Sequence, residues 1–289
     1  MTACTSAAAS PEAARYLRTA IVAHDRIATD TWQVRLDCPE IASRAIPGQF
    51  AMLRIPGRSD PLLGRPLAVY DVTDDGGRPR WVDFVYVVHG RFTTALARLR
   101  PGDELTVWGP LGNGFSLPAG DLLLVAGGIG QTALLMLARH RLGLFHAGPG
   151  GGVPRGSAGV VMCWGARHAG LFGGIDDFRR AGCDVHQATL DGSAGLRGTV
   201  VDLLDERFPG DTTARPVIAC CGPEPMMAAV ARWASDRGFP CQVSLETPMA
   251  CGIGACFTCV ARIRDDAGGW DYRRTCLEGP VFDSASVVW

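Results

Sequence analysis

The hydrophobic pattern of the chain changes near residue 118. Between residues 16 and 118, short alternating runs of apolar and polar residues recur, separated by turns rich in proline and glycine. This pattern is typical of short strands, and it predicts a closed antiparallel β-barrel. The predicted strands cover residues 32–36, 50–55, 67–70, 81–88 and 104–108, and residues 92–99 are predicted to form one short helix.

From residue 119 to 240 the apolar runs become continuous and alternate with segments of helical character. Continuous runs are typical of strands that are buried on both faces of a parallel sheet, so this region is predicted to be an α/β nucleotide-binding domain. The predicted strands are 122–125, 159–163 and 217–221, and the predicted helices are 132–141, which has an amphipathic pattern, 175–181, 200–206 and 225–236. A strand at 242–245 then opens a small C-terminal domain, 241–289.

Three further segments bear on domain organisation and on membrane association. Residues 1–15 form an Ala- and Ser-rich tail without the basic start and apolar core of a signal peptide. The Gly-rich segment 143–159 is interpreted as a flexible surface insertion. Glycines interrupt the apolar stretch 122–138, which is also barely long enough to span a bilayer, so no membrane association is expected.

Composition narrows the function classes. A length of 289 residues favours two or three domains. A net charge of −1 with 20% charged residues provides no basic surface for nucleic acid. The 11 cysteines are odd in number, and those outside the C-terminal region follow no secreted spacing, which favours the cytoplasm.

Four cysteines near the C-terminus have the spacing of a metal site. Cys251, Cys256 and Cys259 are separated by four and then two residues, and Cys276 follows. This is the plant-type spacing for a 2Fe-2S cluster, and the glycines between the first two cysteines allow the tight turn that such a loop needs. Structural zinc and disulfides are the alternatives. Zinc ribbons pair two Cys-x-x-Cys knuckles, whereas only Cys256 and Cys259 are so spaced.

Two glycine-containing turns are candidates for nucleotide binding. The first contains Gly127, Gly128 and Gly130 and joins a strand to a helix, where a pyrophosphate can approach the backbone. The second, 221–227, also follows a strand and opens a helix, so the two turns are expected side by side at the sheet edge where ligands bind. Steric need for glycine and helix initiation by proline are the alternative explanations.

In the predicted barrel, the candidate binding site is the Arg-Pro pair at residues 65–66. An arginine that is fixed by a following proline could pair with a diphosphate, or it could be a solvated edge residue.

The order of these motifs along the chain resembles that of a known protein family. After the Arg-Pro pair come Gly-Pro-Leu-Gly-Asn-Gly-Phe at 109–115, the two turns and the four cysteines. The chain resembles the electron-transfer subunits of two-subunit, NAD-linked dihydroorotate dehydrogenases, a branch of the ferredoxin reductase superfamily. The resemblance covers residues 16–283 and is most specific over 244–259 and 276–282.

The resemblance implies FAD on the barrel, NAD(H) or NADP(H) on the α/β domain, and a 2Fe-2S cluster in the C-terminal domain. It also implies a heterotetramer with an FMN-containing catalytic subunit that oxidises dihydroorotate in pyrimidine biosynthesis. NADH would then reduce FAD, and the cluster would pass single electrons to the FMN. Carried over by position, the flavin contacts are Arg65, Pro66, Leu67, Ala68, Val85, Tyr86, Val87, Phe92 and Thr93; the nicotinamide contacts are Gly127, Gly128, Gly130, Gly222 and Pro223, with Cys221 as the catalytic residue; and the cluster ligands are Cys251, Cys256, Cys259 and Cys276.

Several flavin positions depart from the family pattern. Ala68 replaces a serine, Val87 replaces a common arginine, and Phe92 replaces a glycine; Arg91 could supply the missing contact. These departures leave open a second hypothesis, that the chain is a reductase of the same family that serves another redox partner in a specialised pathway. A structural zinc protein with a degenerate nucleotide domain is the third hypothesis. An Arg-His pair at 167–168 leaves open the choice between NADH and NADPH.

Overall fold

A computed structural model describes residues 14–116, 120–145, 159–210 and 212–289. The predicted tail therefore lies outside the described residues except for its last two positions, and so does most of the predicted 143–159 insertion.

The first half of the described chain forms one antiparallel sheet of seven strands. The strand order is β4-β3-β7-β1-β2-β6-β5. The strands are β1 (Arg15–Ala28), β2 (Thr31–Asp37), β3 (Phe50–Arg54), β4 (Arg65–Ala68), β5 (Asp71–Asp75), β6 (Arg78–Val87) and β7 (Glu104–Leu111), with two short helices, α1 (Pro39–Ala42) and α2 (Gly90–Leu96).

This sheet is curled, and its hydrogen-bonded order is open, unlike the closed barrel predicted. The order ends at β4 on one side and at β5 on the other. The curl comes from β1, which spans 14 residues, pairs with β7 near its start and with β2 along the rest, and changes register between Ile21 and Ala23. Irregular pairing of this kind bends a strand and increases its twist. Strand β1 was not predicted, and α2 begins and ends earlier than the predicted 92–99.

The second half forms a seven-stranded sheet that is parallel except at one edge. Its order is β11-β10-β9-β8-β12-β13-β16, and only the last pair is antiparallel. The strands are β8 (Leu122–Gly127), β9 (Val160–Ala166), β10 (Asp184–Thr189), β11 (Leu196–Arg197), β12 (Val217–Cys221), β13 (Cys241–Ser244) and β16 (Val281–Asp283), and a separate hairpin pairs β14 (Val260–Arg264) with β15 (Trp270–Arg274).

Four helices cover the two faces of this sheet. Helices α3 (Leu135–Arg141) and α4 (Ile175–Ala181) pack on one face, and α5 (Val200–Arg207) and α6 (Glu224–Asp236) on the other. Strand β8 is buried along its whole length, which explains its continuous apolar sequence.

Helix α3 differs from the predicted amphipathic helix at 132–141. Residues 128–133 form a 3₁₀ segment, and α3 is buried on nearly every side. Leu135 and Leu137 pack against the parallel sheet, whereas Met136 packs into the core of the antiparallel sheet. The helix has no solvent-exposed face because it lies between the two sheets.

The C-terminal segment is tied to the parallel sheet. Strands β13 and β16 lie within the predicted third domain, yet both pair within the second sheet. The cysteine loop and the β14–β15 hairpin are the parts of this segment that lie outside it. Within the described ranges, no helix has the length and hydropathy needed to cross a bilayer.

Candidate functional site

The strand order of the parallel sheet creates a crevice at its centre. From β8 the chain proceeds to β9 and β10 on one side, and later returns to β12 and β13 on the other. The carboxyl ends of β8 and β12 therefore flank a topological switch point, which is where open α/β sheets bind ligands. Both predicted nucleotide turns lie at these two strand ends.

The two turns are in direct contact, as predicted. A Cβ atom added to Gly130 would lie 2.2 Å from the carbonyl oxygen of Cys221, and one added to Gly127 would lie 2.4 Å from Met226 Sδ. Gly128 has φ +53°, and no atom lies within 4 Å of the place a Cβ would take. The first and last glycines thus allow close backbone packing, and the middle one leaves open space for a ligand.

Cys221, the predicted catalytic residue, is 3% exposed at the end of β12. Burial raises the pKa of this thiol, and a hydrogen bond with the Ser244 side chain opposes the rise only in part. A neutral thiol is neither a nucleophile nor a metal ligand. Burial therefore favours the neutral form of this thiol, which can pack and form weak hydrogen bonds at this edge.

The predicted flavin strand, β4, lies at an open edge of the first sheet. Arg65 is exposed, and its guanidinium donates hydrogen bonds to the carbonyl oxygens of Leu63 and Gly64 at 3.3 and 3.0 Å. The next three residues, Pro66, Leu67 and Ala68, are half-buried. Arg65 is therefore accessible, and it is held by its own turn.

Other predicted flavin positions lie on β6 and α2, and three of their side chains, those of Val85, Tyr86 and Phe92, are buried in the core. Tyr86 and Phe92 are each 2% exposed, and the Tyr86 hydroxyl hydrogen-bonds His24 Nε2 at 2.8 Å. The Thr93 hydroxyl accepts from the backbone N–H of His89 at 2.6 Å. The remaining two positions, Val85 and Val87, alternate with Tyr86 and point to the opposite face of the strand. Tyr86 and Phe92 can thus offer a ligand only backbone atoms.

A cleft beside these positions was not predicted. It measures about 420 Å³ and lies between the loop before β4 and helix α2. Arg91 pairs with Asp60 at 3.1 Å, and both side chains are exposed. The lining residues are Arg58, Asp60, Pro61, Gly90, Arg91, Thr94, Ala95 and Arg98. Three arginines against one aspartate make this cleft suitable for an anion.

Buried polar groups join the two sheets, and sequence reasoning missed them. The Tyr70 hydroxyl donates to Asp177 at 2.6 Å, and Asp71 forms an ion pair with Arg139. These contacts link the segment after β4 to α4 and α3. They hold the flavin strand against the nucleotide sheet.

Burial raises the pKa of Asp71 to about 6, although the Arg139 guanidinium opposes the rise. Compared with the unfolded chain, the folded protein therefore favours the protonated form of the Asp71 carboxyl. The stability that this protonated carboxyl contributes is fully present below the pKa of aspartate in the unfolded chain, near 4, and is lost as the pH rises through 6.

We expect the free energy of unfolding of the wild type, relative to an Asp71→Asn variant, to fall by about 1 kcal/mol between pH 5 and pH 8. Urea unfolding at several pH values measures this difference. Asp236→Asn, which removes an exposed carboxylate at the end of α6, is the matched control. A pH-independent difference for Asp71→Asn would contradict the assignment.

The four predicted cluster ligands form two pairs of thiols. Cys251 and Cys256 are within hydrogen-bonding contact, and so are Cys259 and Cys276. The Ile253 N–H donates to Cys251 Sγ at 3.4 Å, and the Thr258 hydroxyl donates to Cys256 Sγ at 3.2 Å. Two thiols for each of two irons is the ligand set of a 2Fe-2S cluster.

The pairs differ in environment. Hydrogen bonds from Thr258 and from Cys251 lower the pKa of the exposed Cys256 thiol to about 6, whereas burial raises the pKa of Cys276 to about 12. A structural zinc ion needs four ligands that converge on one point. Among the described residues, no three His, Cys, Asp or Glu side chains converge in that way. The paired thiols fit the iron–sulfur prediction.

The loop that carries these cysteines depends on left-handed backbone conformations. Gly252 and Gly254 have φ of +74° and +81°, and a Cβ on them would lie 2.6 Å from Met52 and 2.3 Å from Leu277. Phe257 also has a positive φ, +55°, which is uncommon for a bulky residue. The glycines between the first two cysteines are therefore required, as the sequence predicted.

Comparison with known proteins places this chain among flavin-linked reductases. Residues 246–288 match the model of the iron-sulfur cluster binding domain of dihydroorotate dehydrogenase B. The chain is 35% identical to the electron transfer subunit of dihydroorotate dehydrogenase B (NAD(+)) of Desulforamulus reducens, over 91% of this chain and 94% of that protein. It is 34% identical to the Bacillus caldolyticus subunit of the same name, over 94% and 98%.

Solved structures have the same architecture. The structure of an NADH-dependent reduced ferredoxin-NADP oxidoreductase, studied for electron bifurcation, matches with a TM-score of 0.76 and 28% identity, over 94% of this chain and 90% of that chain. The ferredoxin reductase of carbazole 1,9a-dioxygenase matches with a TM-score of 0.63 and 20% identity, over 78% and 67%. The second likeness concerns the fold alone.

Proposed function

Since the chain belongs to the family of dihydroorotate dehydrogenase B electron transfer subunits, we propose that it carries electrons between NAD(H) and an FMN-containing subunit that oxidises dihydroorotate. One observation carries the proposal. The cysteine loop packs on Met52 of β3, which pairs directly with Pro66 of the flavin strand β4. One sheet thus supports both the flavin strand and the cluster loop.

FAD, when bound, links the two-electron chemistry of a nicotinamide to the one-electron chemistry of an iron–sulfur cluster. The chain binds and orients the groups between which electrons pass. Gly127 and Gly130 let the two turns approach each other, and Gly128 keeps the surface between them open. Cys221 and Pro223 form the opposite wall, where the neutral thiol shapes the nicotinamide pocket without transferring a proton.

We assign NADH as the coenzyme, in keeping with the relatives named for NAD(+). The Arg-His pair at 167–168 follows β9, but an acidic loop lies beside it. The Asp191 carboxylate accepts from the N–H and hydroxyl of Ser193 at 2.9 and 2.6 Å, and the Ser193 hydroxyl accepts from the Ala169 N–H. These hydrogen bonds lower the pKa of Asp191 and hold it charged. A 2′-phosphate bound at this loop would be repelled.

We propose that the arginine-lined cleft beside α2 holds the diphosphate of FAD. The side chains of Ala68 and Val87 cannot donate hydrogen bonds to it. Arg91 faces the cleft with an exposed guanidinium, and only the exposed Asp60 is paired with it. An exposed ion pair of this kind is weak, so its guanidinium can turn to a diphosphate.

An Arg91→Ala variant should bind FAD about tenfold more weakly, the effect of losing one charge-assisted hydrogen bond. Fluorescence titration of the deflavinated chain measures the dissociation constant. Arg18→Ala is the matched control, because Arg18 also forms an exposed ion pair, with Glu104, but lies outside the cleft. Equal FAD affinity in the two variants would refute the proposal that Arg91 contacts the FAD diphosphate.

We propose that electrons leave through the exposed side of the cysteine loop. Ile253 and Phe257 are 48% and 64% exposed, and Cys256 is exposed between them. The Arg274 guanidinium stacks 4.8 Å from the centre of the Phe257 ring. An exposed apolar surface beside a redox centre suits a partner subunit.

The proposed function is tested on the complex purified from its native cell. An FMN-containing subunit should co-purify, and dihydroorotate should reduce NAD(+) only when both subunits are present. The Phe257→Asn variant, which keeps a residue tolerant of positive φ, should keep the cluster spectrum and lose the partner. Co-purification with a different redox protein, and no dihydroorotate oxidation, would favour the alternative reductase.

We propose that the functional regions are 16–118, 119–240 and 241–289, with β13 and β16 shared between the last two. We also propose that the protein acts in the cytoplasm. None of the ten described cysteines is in a disulfide, which suits a reducing compartment.

A further inference from the structure

Strand β7 and the turn after it touch both ends of the cysteine-containing segment. The turn belongs to the sequence Gly-Pro-Leu-Gly-Asn-Gly-Phe at 109–115, for which nothing so far provides a role. Two side chains make the contacts: Trp108 on the strand and Asn113 just beyond it.

Trp108 links the first cluster cysteine to the flavin strand. Its indole Nε1 donates a 2.9 Å hydrogen bond to the carbonyl oxygen of Cys251. The far edge of the same ring covers Gly64, where an added Cβ would lie 2.6 Å from Trp108 Cη2. Gly64 immediately precedes Arg65, the first residue of β4. One rigid side chain therefore touches the cluster loop and the start of the flavin strand.

Asn113 holds the segment that follows the last cluster cysteine. The side chain is 2% exposed, and its Nδ2 donates to the carbonyl oxygens of Glu278 and Val281 at 3.0 and 2.8 Å. Its Oδ1 accepts from the Val281 N–H at 2.9 Å, and its own N–H donates to the carbonyl of Gly279 at 2.6 Å. These bonds fix the chain two to five residues after Cys276.

The space between these two contacts is filled with apolar side chains. Phe50, Met52 and Leu111 of the first sheet form one buried cluster with Cys259 and Cys276. Both buried ligands therefore rest on the outer face of β3 and β7. Apolar packing alone would explain the contact area but not the two directional hydrogen-bonding sites at its ends.

We propose that Trp108 and Asn113 are positioning residues for electron transfer, which hold the cysteine loop at a fixed distance from the flavin strand. The inference rests on the proposed function of this loop as an iron–sulfur site. Electron transfer falls steeply with distance, so a small displacement of the loop lowers its rate. The potential of a cluster also responds to hydrogen bonds and exposure, both of which change if the Cys251 backbone moves.

The test uses the full chain loaded with FAD and its cluster. Trp108→Phe removes the indole N–H and shortens the ring, and Asn113→Asp removes both donors at nearly equal size. Trp81→Phe is the matched control, since Trp81 lies on β6 of the same sheet and contacts Arg35 and Arg80 instead. Iron and sulfide content establishes that each variant carries a full cluster.

We expect Trp108→Phe to slow single-turnover reduction of the cluster by NADH at least tenfold, with the flavin reduced at the wild-type rate. Its midpoint potential and its electron paramagnetic resonance spectrum should shift, whereas Trp81→Phe should match the wild type. Asn113→Asp should act in the same direction. If the Asn113→Asp variant does not assemble a cluster, the Trp108→Phe variant alone tests the proposal.

A Trp108→Phe variant with wild-type potential, spectrum and single-turnover rate would overturn the proposal. These readouts lie within one chain and do not involve the partner. If the variants differ from the wild type in these readouts as expected, but the wild-type chain does not support dihydroorotate oxidation, the proposed function is refuted and this inference stands.

Discussion

Replacing Cys259 with alanine is expected to abolish cluster assembly and to reduce electron delivery to the partner by roughly 100-fold or more, since losing a ligand costs more than losing its outer-shell support. Cys259 is 1% exposed, and its carbonyl accepts hydrogen bonds from the N–H and hydroxyl of Thr275 at 2.7 and 3.2 Å. This buried, fixed position leaves no room for water to complete the site.

Iron and sulfide analysis, together with the electron paramagnetic resonance signal of the reduced protein, measures the loss. Flavin reduction by NADH should continue, because the nucleotide turns are unaffected. Cys183→Ala is the control, as Cys183 is a buried thiol beyond α4 with no contact to the loop. A variant at Cys259 with a full cluster would show that another residue is the ligand.

Replacing Gly130 with alanine should slow flavin reduction by NADH about 100-fold, the cost of misplacing reacting groups by about 1 Å. The added Cβ would lie 2.2 Å from the carbonyl oxygen and 2.4 Å from the carbonyl carbon of Cys221. Both neighbours are backbone atoms, so the two turns must separate. The nicotinamide would then lie farther from the flavin.

Stopped-flow absorbance follows the flavin reduction. The Gly159→Ala variant is the control, because no atom of the described part of the chain lies within 4 Å of the place its Cβ would take and its φ is not positive. The cluster spectrum should be unchanged in both variants. Equal rates for the two variants would mean that the contact between the turns has no part in binding NADH.

The fold was predictable where the local pattern was regular. Strand β12 and helix α4 have the predicted limits, because a continuous apolar run and a capped amphipathic segment are both local signals. Strand β1 was missed because its two ends pair with different neighbours, so no single face stays buried along its length. Helix α3 was misjudged because its apolar surface serves two cores at once.

The candidate site was likewise predictable only in the parts that a local pattern specifies. The cysteine spacing and the glycine turns were readable because the chemistry depends on residues only a few positions apart. The anion-binding cleft was not, since Arg58 lies in the loop before β4 whereas Arg91 and Arg98 lie in and just after helix α2, and these two segments converge only in the fold. The predicted contacts at Tyr86 and Phe92 show the converse, as their side chains turned out to be core residues.

The sequence by itself determined the family, the ligand set and the two turns, because thiol spacing and glycine placement specify local geometry directly. The tertiary structure decided how these parts are held together. Trp108 reaches Cys251 across 143 residues, Asn113 reaches Val281 across 168, and Tyr70 reaches Asp177 across 107. Such contacts depend on strand order and register over the whole chain, and a local pattern does not encode which distant segment will lie alongside.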